Sequence, residues 1–248
     1  MMQLTVKNMD ITLELNGTTC LIGPTNSGKT TFLKKLVNRI NNDDIFIDDI
    51  CIKEYDFNFL RNNIVVCFDD NLYHADFVCE ELYYNIHKLG YRLDECVKKI
   101  EDICHYFKVD HLLDERLERL KYEDKILIKI LSFLIINPHI FAIDNLIPYL
   151  SKEKQNKLYK YVKEHNICFI NVVSDSEYIL ESDYVIVMSN FKALMCVDSY
   201  NVLNGNSILP YIGIKLPFTV DLSSNLCVYN IVNKVETDNR KLVDKIWK

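Results

Sequence analysis

Glycine and proline are scarce in this chain of 248 residues, which holds six of the first and five of the second. That excludes collagen-like repeats and low-complexity linkers, and it makes each glycine a marked position. Long apolar runs are missing as well. The most hydrophobic stretch, 126–143, is broken by Lys129, Asn137, Pro138 and His139, whereas a membrane span takes ~20 predominantly apolar residues. Near the N-terminus, Asp10, Glu14 and Asn16 interrupt the apolar positions and no A-x-A pattern follows, so no secretory leader is expected. If the protein works at a membrane, a partner must hold it there. There is no basic excess: 29 Lys and Arg against 35 Asp and Glu leave a net charge of -6, so no global field draws the chain to nucleic acid, and none is expected as a partner. The nine cysteines are scattered singly with no C-x-x-C, which excludes a zinc cluster or disulfide framework and predicts reduced, buried thiols in a cytosolic protein. What remains is ordinary globular composition, 49% apolar and 26% charged.

Residues 4–15 alternate loosely, and Asn16-Gly17 turns the chain into Thr18-Thr19-Cys20-Leu21-Ile22, a β-rich run that stops at Gly23. Helical spacing over 30–40 puts Phe32, Leu33, Leu36, Val37 and Ile40 on one face. Short strands are expected at 45–47 and 64–68, then helices at 78–89, 93–107 and 123–136. Buried-type strands at 140–143 and 168–173 flank a charged helix at 152–164, and 184–188 with 193–197 read as a closing pair. This alternation predicts an α/β fold with a largely parallel or mixed sheet covered on both faces. The block at about 76–136 interrupts it as an inserted helical subdomain. From 199 the periodicity weakens, and 210–248 reads as a loop and two short helices, the last over 237–247.

Gly23-Pro24-Thr25-Asn26-Ser27-Gly28-Lys29-Thr30 matches G-x-x-x-x-G-K-[ST] between a strand and a helix, the P-loop pattern. Gly23 and Gly28 let the backbone turn so that amides converge on phosphate oxygens, and the helix adds its positive end. Lys29 supplies a compact charge to the β- and γ-phosphates, and the Thr30 hydroxyl is a Mg²⁺ ligand. Residues 23–30 with Thr31 are therefore the candidate nucleotide-binding set, and ATP with Mg²⁺ the expected cofactors of a P-loop NTPase. The other half of such a site is an apolar strand ending in an acid, and Ile140-Phe141-Ala142-Ile143-Asp144 supplies it. Asp144 is the second candidate for the metal shell.

Phosphate loop, helical insert, Pro138 before the Asp144 strand, and a further strand follow in an order and at a spacing that resemble the ATP-binding-cassette (ABC) ATPases over about residues 1–200. The tail adds Gly213-Ile214-Lys215-Leu216-Pro217-Phe218-Thr219-Val220-Asp221-Leu222 and Lys241-Leu242-Val243-Asp244-Lys245-Ile246-Trp247, similar to the C-terminal segment of energy-coupling-factor (ECF) transporter ATPases. The resemblance implies an ABC cassette over 1–200 and a dimerisation tail over 201–248. It also implies pairing with a second ABC ATPase subunit as a heterodimer, and docking on a transmembrane coupling subunit at the cytoplasmic face of the cell membrane. The process served would be uptake of a vitamin or other micronutrient.

Carrying the family motifs over position by position produces losses. The Gln-loop position holds Asp69, a further candidate for the Mg²⁺ shell. The signature falls on Leu120-Lys121-Tyr122-Glu123-Asp124, the catalytic carboxylate position holds Asn145, the D-loop position Ser151 and the switch-histidine position Ser174. No aromatic precedes the phosphate loop for adenine stacking. An amide at Asn145 cannot take the proton of the attacking water, help that is typically worth 10²–10⁴-fold, so no catalytic position is intact and hydrolysis is expected to be weak or absent. Tyr122 and Glu123 replace signature glycines. Glu123 would bring like charge to a partner's triphosphate, with Lys121 partly offsetting it. A groove for a coupling helix is expected from 69–76 and the insert; the carboxylates at Glu80, Glu81 and Asp94 read first as a solvated helix face and, as the alternative, as partners for basic residues of that helix. Two alternatives stay open: an active transport ATPase whose base is Asp175 or a partner residue, and a soluble nucleotide-sensing scaffold.

Overall fold

The structure, a computed structural model, describes residues 3–38, 42–70, 72–205 and 208–247. Ile40, placed on the first expected helix face, lies outside them. In chain order the first half comprises β1 (Gln3–Val6), β2 (Ile11–Glu14), β3 (Thr18–Ile22), α1 (Lys29–Val37), β4 (Ile45–Ile47), β5 (Ile50–Cys51), α2 (Phe57–Asn63) and β6 (Ile64–Cys67). The insert carries α3 (Val78–His87), α4 (Leu93–Phe107) and α5 (Tyr122–Leu134). There follow β7 (Ile140–Asp144), α6 (Lys152–Glu164), β8 (Cys168–Val173), β9 (Tyr184–Ser189), β10 (Lys192–Asp198), α7 (Ser199–Gly205), α8 (Ile208–Tyr211), α9 (Phe218–Val228) and α10 (Asn239–Ile246).

Strands apolar at nearly every position can only be buried on both faces, and they form the centre. The main sheet runs β10-β9-β3-β8-β7-β6, parallel from β9 through β6 with β10 antiparallel on the rim. Alternate residues of these strands feed two separate cores. Cys20, Ile22, Val65, Phe141, Ile143, Phe169 and Val185 face the insert and α6. Leu21, Ile64, Val66, Ile140, Ala142, Ile170 and Ile186 face α1 and a second sheet. That second sheet is antiparallel, in the order β2-β1-β4-β5, and its β2 alternates buried with exposed residues as a one-sided strand must.

In α4, Cys96, Ile100, Ile103, Cys104 and Phe107 are buried on one stripe, spaced as an amphipathic helix requires. The neck of the insert is stitched by Val78 N–H to Glu115 O at 3.1 Å and Leu117 N–H to Asp76 O at 2.8 Å. The tail is not a separable appendage. Leu209 and Val220 are fully buried in the main core, Ser176 Oγ donates to Lys215 O at 2.6 Å, and Phe218 N–H donates to Glu177 Oε1 at 2.6 Å. Phe218, Tyr229 and Trp247 remain exposed on its surface.

Candidate functional site

The phosphate-loop segment leaves β3 and passes under the turn between β9 and β10. A Cβ on Gly23 would stand 2.3 Å from the Met188 carbonyl oxygen, so no other residue fits this close approach. Gly28 has φ 103° and lies against Phe191, where a Cβ would come within 2.9 Å of the ring. The same turn latches the loop: Phe191 N–H donates to Ser27 O at 2.9 Å, while Ser27 N–H donates to Pro24 O at 3.1 Å. Ser27 and Gly28 are buried, Pro24 is half-buried, and Thr25, Asn26, Thr30 and Thr31 are exposed.

Lys29 opens α1 and folds back over the loop, donating to Gly23 O at 2.7 Å and Pro24 O at 2.9 Å. Burial pushes its ammonium below the usual lysine range, and the charge of Asp144 opposes that shift. The parallel pairing of β3, β8 and β7 brings Asp144 to the same end of the sheet, where its Oδ2 accepts from Thr30 Oγ1 at 2.8 Å. Burial pushes the Asp144 carboxyl above the ordinary range, and the charge of Asp69 adds to the rise against the Thr30 bond and Lys29. Asp69 is exposed just beyond β6, the strand beside β7. Thr30 in the first turn of α1 offers a hydroxyl, and Asp144 and Asp69 at neighbouring strand ends offer two carboxylates, all hard oxygen donors of the kind Mg²⁺ takes.

The positions expected to be catalytically silent also lie at this end of the fold. Asn145 follows β7 with φ 54°, a conformation that asparagine tolerates, and its N–H donates to Val172 O at 2.9 Å. Ser174 is exposed at the end of β8. Asp175, weighed as a replacement base, caps the next turn by accepting from Glu177 N–H at 3.0 Å. Tyr122 starts α5 half-exposed and meets Tyr149 edge-on at 5.3 Å.

Glu123 behaves differently from expectation. Its Oε1 accepts from Ser151 N–H at 2.8 Å, and Lys154 lies 3.3 Å from it and 2.7 Å from Asp124. The Ser151 amide, with help from Lys154, holds the Glu123 carboxyl below the usual carboxylate range. The charge that would repel a facing triphosphate is engaged within its own chain.

The ABC transporter family model matches residues 6–147, more than half of the chain. The chain belongs to the ABC transporter family. It is 24% identical over 251 residues to the energy-coupling factor transporter ATP-binding protein EcfA of Onion yellows phytoplasma (strain OY-M), covering 98% of this chain and 92% of that protein. It is 23% identical over 230 residues to EcfA1 of Staphylococcus aureus (strain USA300), covering 90% and 86%. The structure of cbiO1 from Clostridium perfringens, described as part of the ABC transporter complex cbiONQ, shares the fold with a TM-score of 0.71 at 19% identity, over 89% of this chain and 98% of that one. Among the described residues no helix is long and apolar enough to cross a membrane.

In this ABC ATPase fold, three features escaped the sequence. Glu81, expected to be an exposed carboxylate, is buried, and its Oε2 accepts from His74 N–H at 2.7 Å and Ala75 N–H at 3.1 Å. It caps the loop entering the insert and is closed to a partner, whereas Glu80 and Asp94 are exposed. Lys129, which seemed only to interrupt an apolar run, is buried and pairs with the carboxylate and carbonyl of Asp70. Loop 69–76 is therefore held near both ends by buried charges of the insert. The third is a second cavity, apart from the groove expected of 69–76 and the insert. The loop lines a cavity of about 230 Å³ with Arg116, Leu117 and Lys125, while a larger cavity of about 620 Å³ opens beside β6.

Proposed function

We propose that this chain is an ATP-binding subunit of an ECF-type importer for a vitamin or other micronutrient, binding Mg-ATP while hydrolysing it weakly or not at all. One observation carries the reading. The loop at 23–30 keeps its close-packed glycines, and Thr30 and Asp144 meet at 2.8 Å, while Asn145, Ser174 and 120–124 lack the groups that hydrolysis needs. The phosphates would lie against the amides of 23–31 and the start of α1, with Lys29 transferred from the loop carbonyls to the β- and γ-oxygens. Mg²⁺ would be held by Thr30, Asp144 and Asp69, its remaining positions filled by phosphate oxygens and water; it would neutralise charge on the phosphates.

Assembly follows from the surface. Tyr122 and Glu123 stand where the family has glycines, so two copies of this chain would both present a poor signature, and a second ABC ATPase subunit is the better partner. Phe218, Val220, Leu222, Leu242, Ile246 and Trp247 are the apolar residues of the tail that could supply pairing contacts; Val220 and Leu242 are buried in this chain and Leu222 is half-buried, which leaves exposed Phe218, Ile246 and Trp247, joined by Tyr229. A transmembrane coupling subunit would hold the pair at the cytoplasmic face of the membrane.

Thermal unfolding tests the nucleotide reading. A ligand that binds only the folded state adds ~2.7 kcal/mol at a hundredfold excess over Kd. Mg-ATP should raise Tm in the wild type and leave Lys29→Ala unmoved. A wild type that shows no shift at millimolar Mg-ATP would sink the proposal.

A further inference from the structure

The turn between β9 and β10 is two residues long, Asn190 and Phe191, with Ser189 paired to Lys192 on either side of it. Both central residues are left-handed, with φ 49° and 63°. The favoured hairpin turn requires this, and it prefers glycine at the second position. A phenylalanine there carries strain that a glycine would not, and backbone strain in a bulky residue gathers at functional sites. The core gives nothing in return. Phe191 is 53% exposed, belongs to neither apolar core and lies against Gly28 of the phosphate loop.

The turn is fastened on two sides. Phe191 N–H donates to Ser27 O at 2.9 Å, and the next residue, Lys192, pairs with Asp10 at 2.9 Å. An exposed aromatic ring is thereby held beside the loop that would carry the phosphates.

The sheet order fixes which end of a nucleotide would meet it. The strands run β10-β9-β3-β8-β7-β6, and β9 through β6 are parallel. The phosphate loop, Asp144, Asp69 and the β9–β10 turn therefore share one end of the sheet. Asp144 and Asp69 stand on the β7–β6 side of the loop, and Phe191 stands on the β9 side. A metal held by Thr30 and the two carboxylates would draw the β- and γ-phosphates toward β7. The ribose and base would then leave the loop on the opposite side, toward Phe191. Every base has a flat face that stacks on an aromatic ring. Residues 1–22 contain no aromatic residue, so nothing on the N-terminal side duplicates this ring.

We infer that Phe191, carried by the β9–β10 turn, is the stacking face for the base of the nucleotide bound at 23–31. This rests on the reading of that loop as an ATP site, and it adds the contact that would tell a nucleotide from bare phosphate.

Calorimetric titration of the full chain with Mg-ATP and with Mg-tripolyphosphate separates base from phosphates. Phe191→Gly gives the turn the residue it prefers and keeps the backbone bond from residue 191 to Ser27. It should raise the Kd for Mg-ATP roughly tenfold, within the range for truncating a base-stacking aromatic, and leave tripolyphosphate binding unchanged. Phe191→Tyr, which keeps the ring, should bind Mg-ATP as the wild type does. Proximity is read with Phe191→Trp in a Trp247→Phe background, since Trp247 is the single tryptophan. Mg-ATP should quench the new fluorescence and tripolyphosphate should not. Equal ATP affinity of wild type and Phe191→Gly would overturn the inference. So would an equal loss for both ligands, which would make the ring a prop for the loop. A wild type that binds Mg-ATP no more tightly than tripolyphosphate would overturn it while leaving the phosphate site standing. A wild type that binds neither ligand would bring down the nucleotide reading itself, so the two failures are told apart.

Discussion

At residue 129 a lysine side chain only 3% exposed meets Asp70, whose own side chain is 43% exposed. The asymmetry makes the two halves of the pair unequal. Asp70→Ala leaves a buried ammonium with the carbonyl of residue 70 and the Tyr73 ring as remaining contacts, whereas Lys129→Met leaves a carboxylate within reach of water. Breaking a buried pair costs about 3–5 kcal/mol, and the remaining carbonyl puts Asp70→Ala near the lower end. Lys129→Met, which fills the same space with an apolar chain, should cost less than about 1.5 kcal/mol. Urea unfolding measures both, and equal losses or the reverse order would refute the assignment. None of this was legible in the sequence, because Asp70 lies 59 residues from Lys129 and no spacing rule joins them. Glu81 escaped for a related reason: its partners are backbone amides, which carry no side-chain signature. The close-packed turn at Gly23 and Gly28, with Lys29 and Thr30 opening α1, was legible because its pattern is confined to one short segment between a strand and a helix.

Among the elements, α5 and α6 begin side by side, tied by Glu123 to the Ser151 amide and by Lys154 to Glu123 and Asp124. Both acids lie in the first turn of α5, where the helix dipole also favours them. Because the Glu123 carboxyl is held below its ordinary value, the tie is complete above the unfolded pKa, about 4.3. It is lost as pH falls through the depressed folded value. The Ser151 amide should therefore resist hydrogen exchange from neutral pH down to about pH 4.3 and lose protection in more acid solution. Glu123→Ala should remove the protection at pH 7 while changing global stability by no more than about 1 kcal/mol, since the pair is partly exposed. A Ser151 amide that exchanges equally in both proteins would contradict the tie. The helices and strands with strong periodicity, α4, α6 and β8, fall where the pattern puts them. The short ones, α2, α7 and β5, were not read, since two to seven residues carry too little period. Nor could the sequence disclose the second sheet, because β1 pairs β4 across some forty residues of unrelated chain.

At the scale of the whole molecule the question is whether the fold can hydrolyse the nucleotide it is built to hold. Asn145→Glu would place a carboxylate beside Asp144, where it could orient and deprotonate water. Three features of this chain oppose recovery. Asn145 has φ 54°, a conformation in which a glutamate is less at ease than asparagine, so the new carboxylate would be held with strain. Ser174, exposed at the end of β8, would be too short to take the place of a histidine at the γ-phosphate, and on the proposed reading Tyr122 with Glu123 would give a second copy of this chain no working signature to donate. Groups that act as a unit are strongly non-additive, so mending one returns little while the others stay broken. Mg-ATP turnover of the purified chain should therefore stay at background for the wild type, for Asn145→Glu and for Asn145→Glu/Ser174→His. The double repair should gain activity only beside a cassette with an intact signature, which would complete this chain's own site. Steady turnover by the wild type alone, abolished by Lys29→Ala, would show that the base and the γ-phosphate contact come from residues other than these positions, and would make this chain a working ATPase.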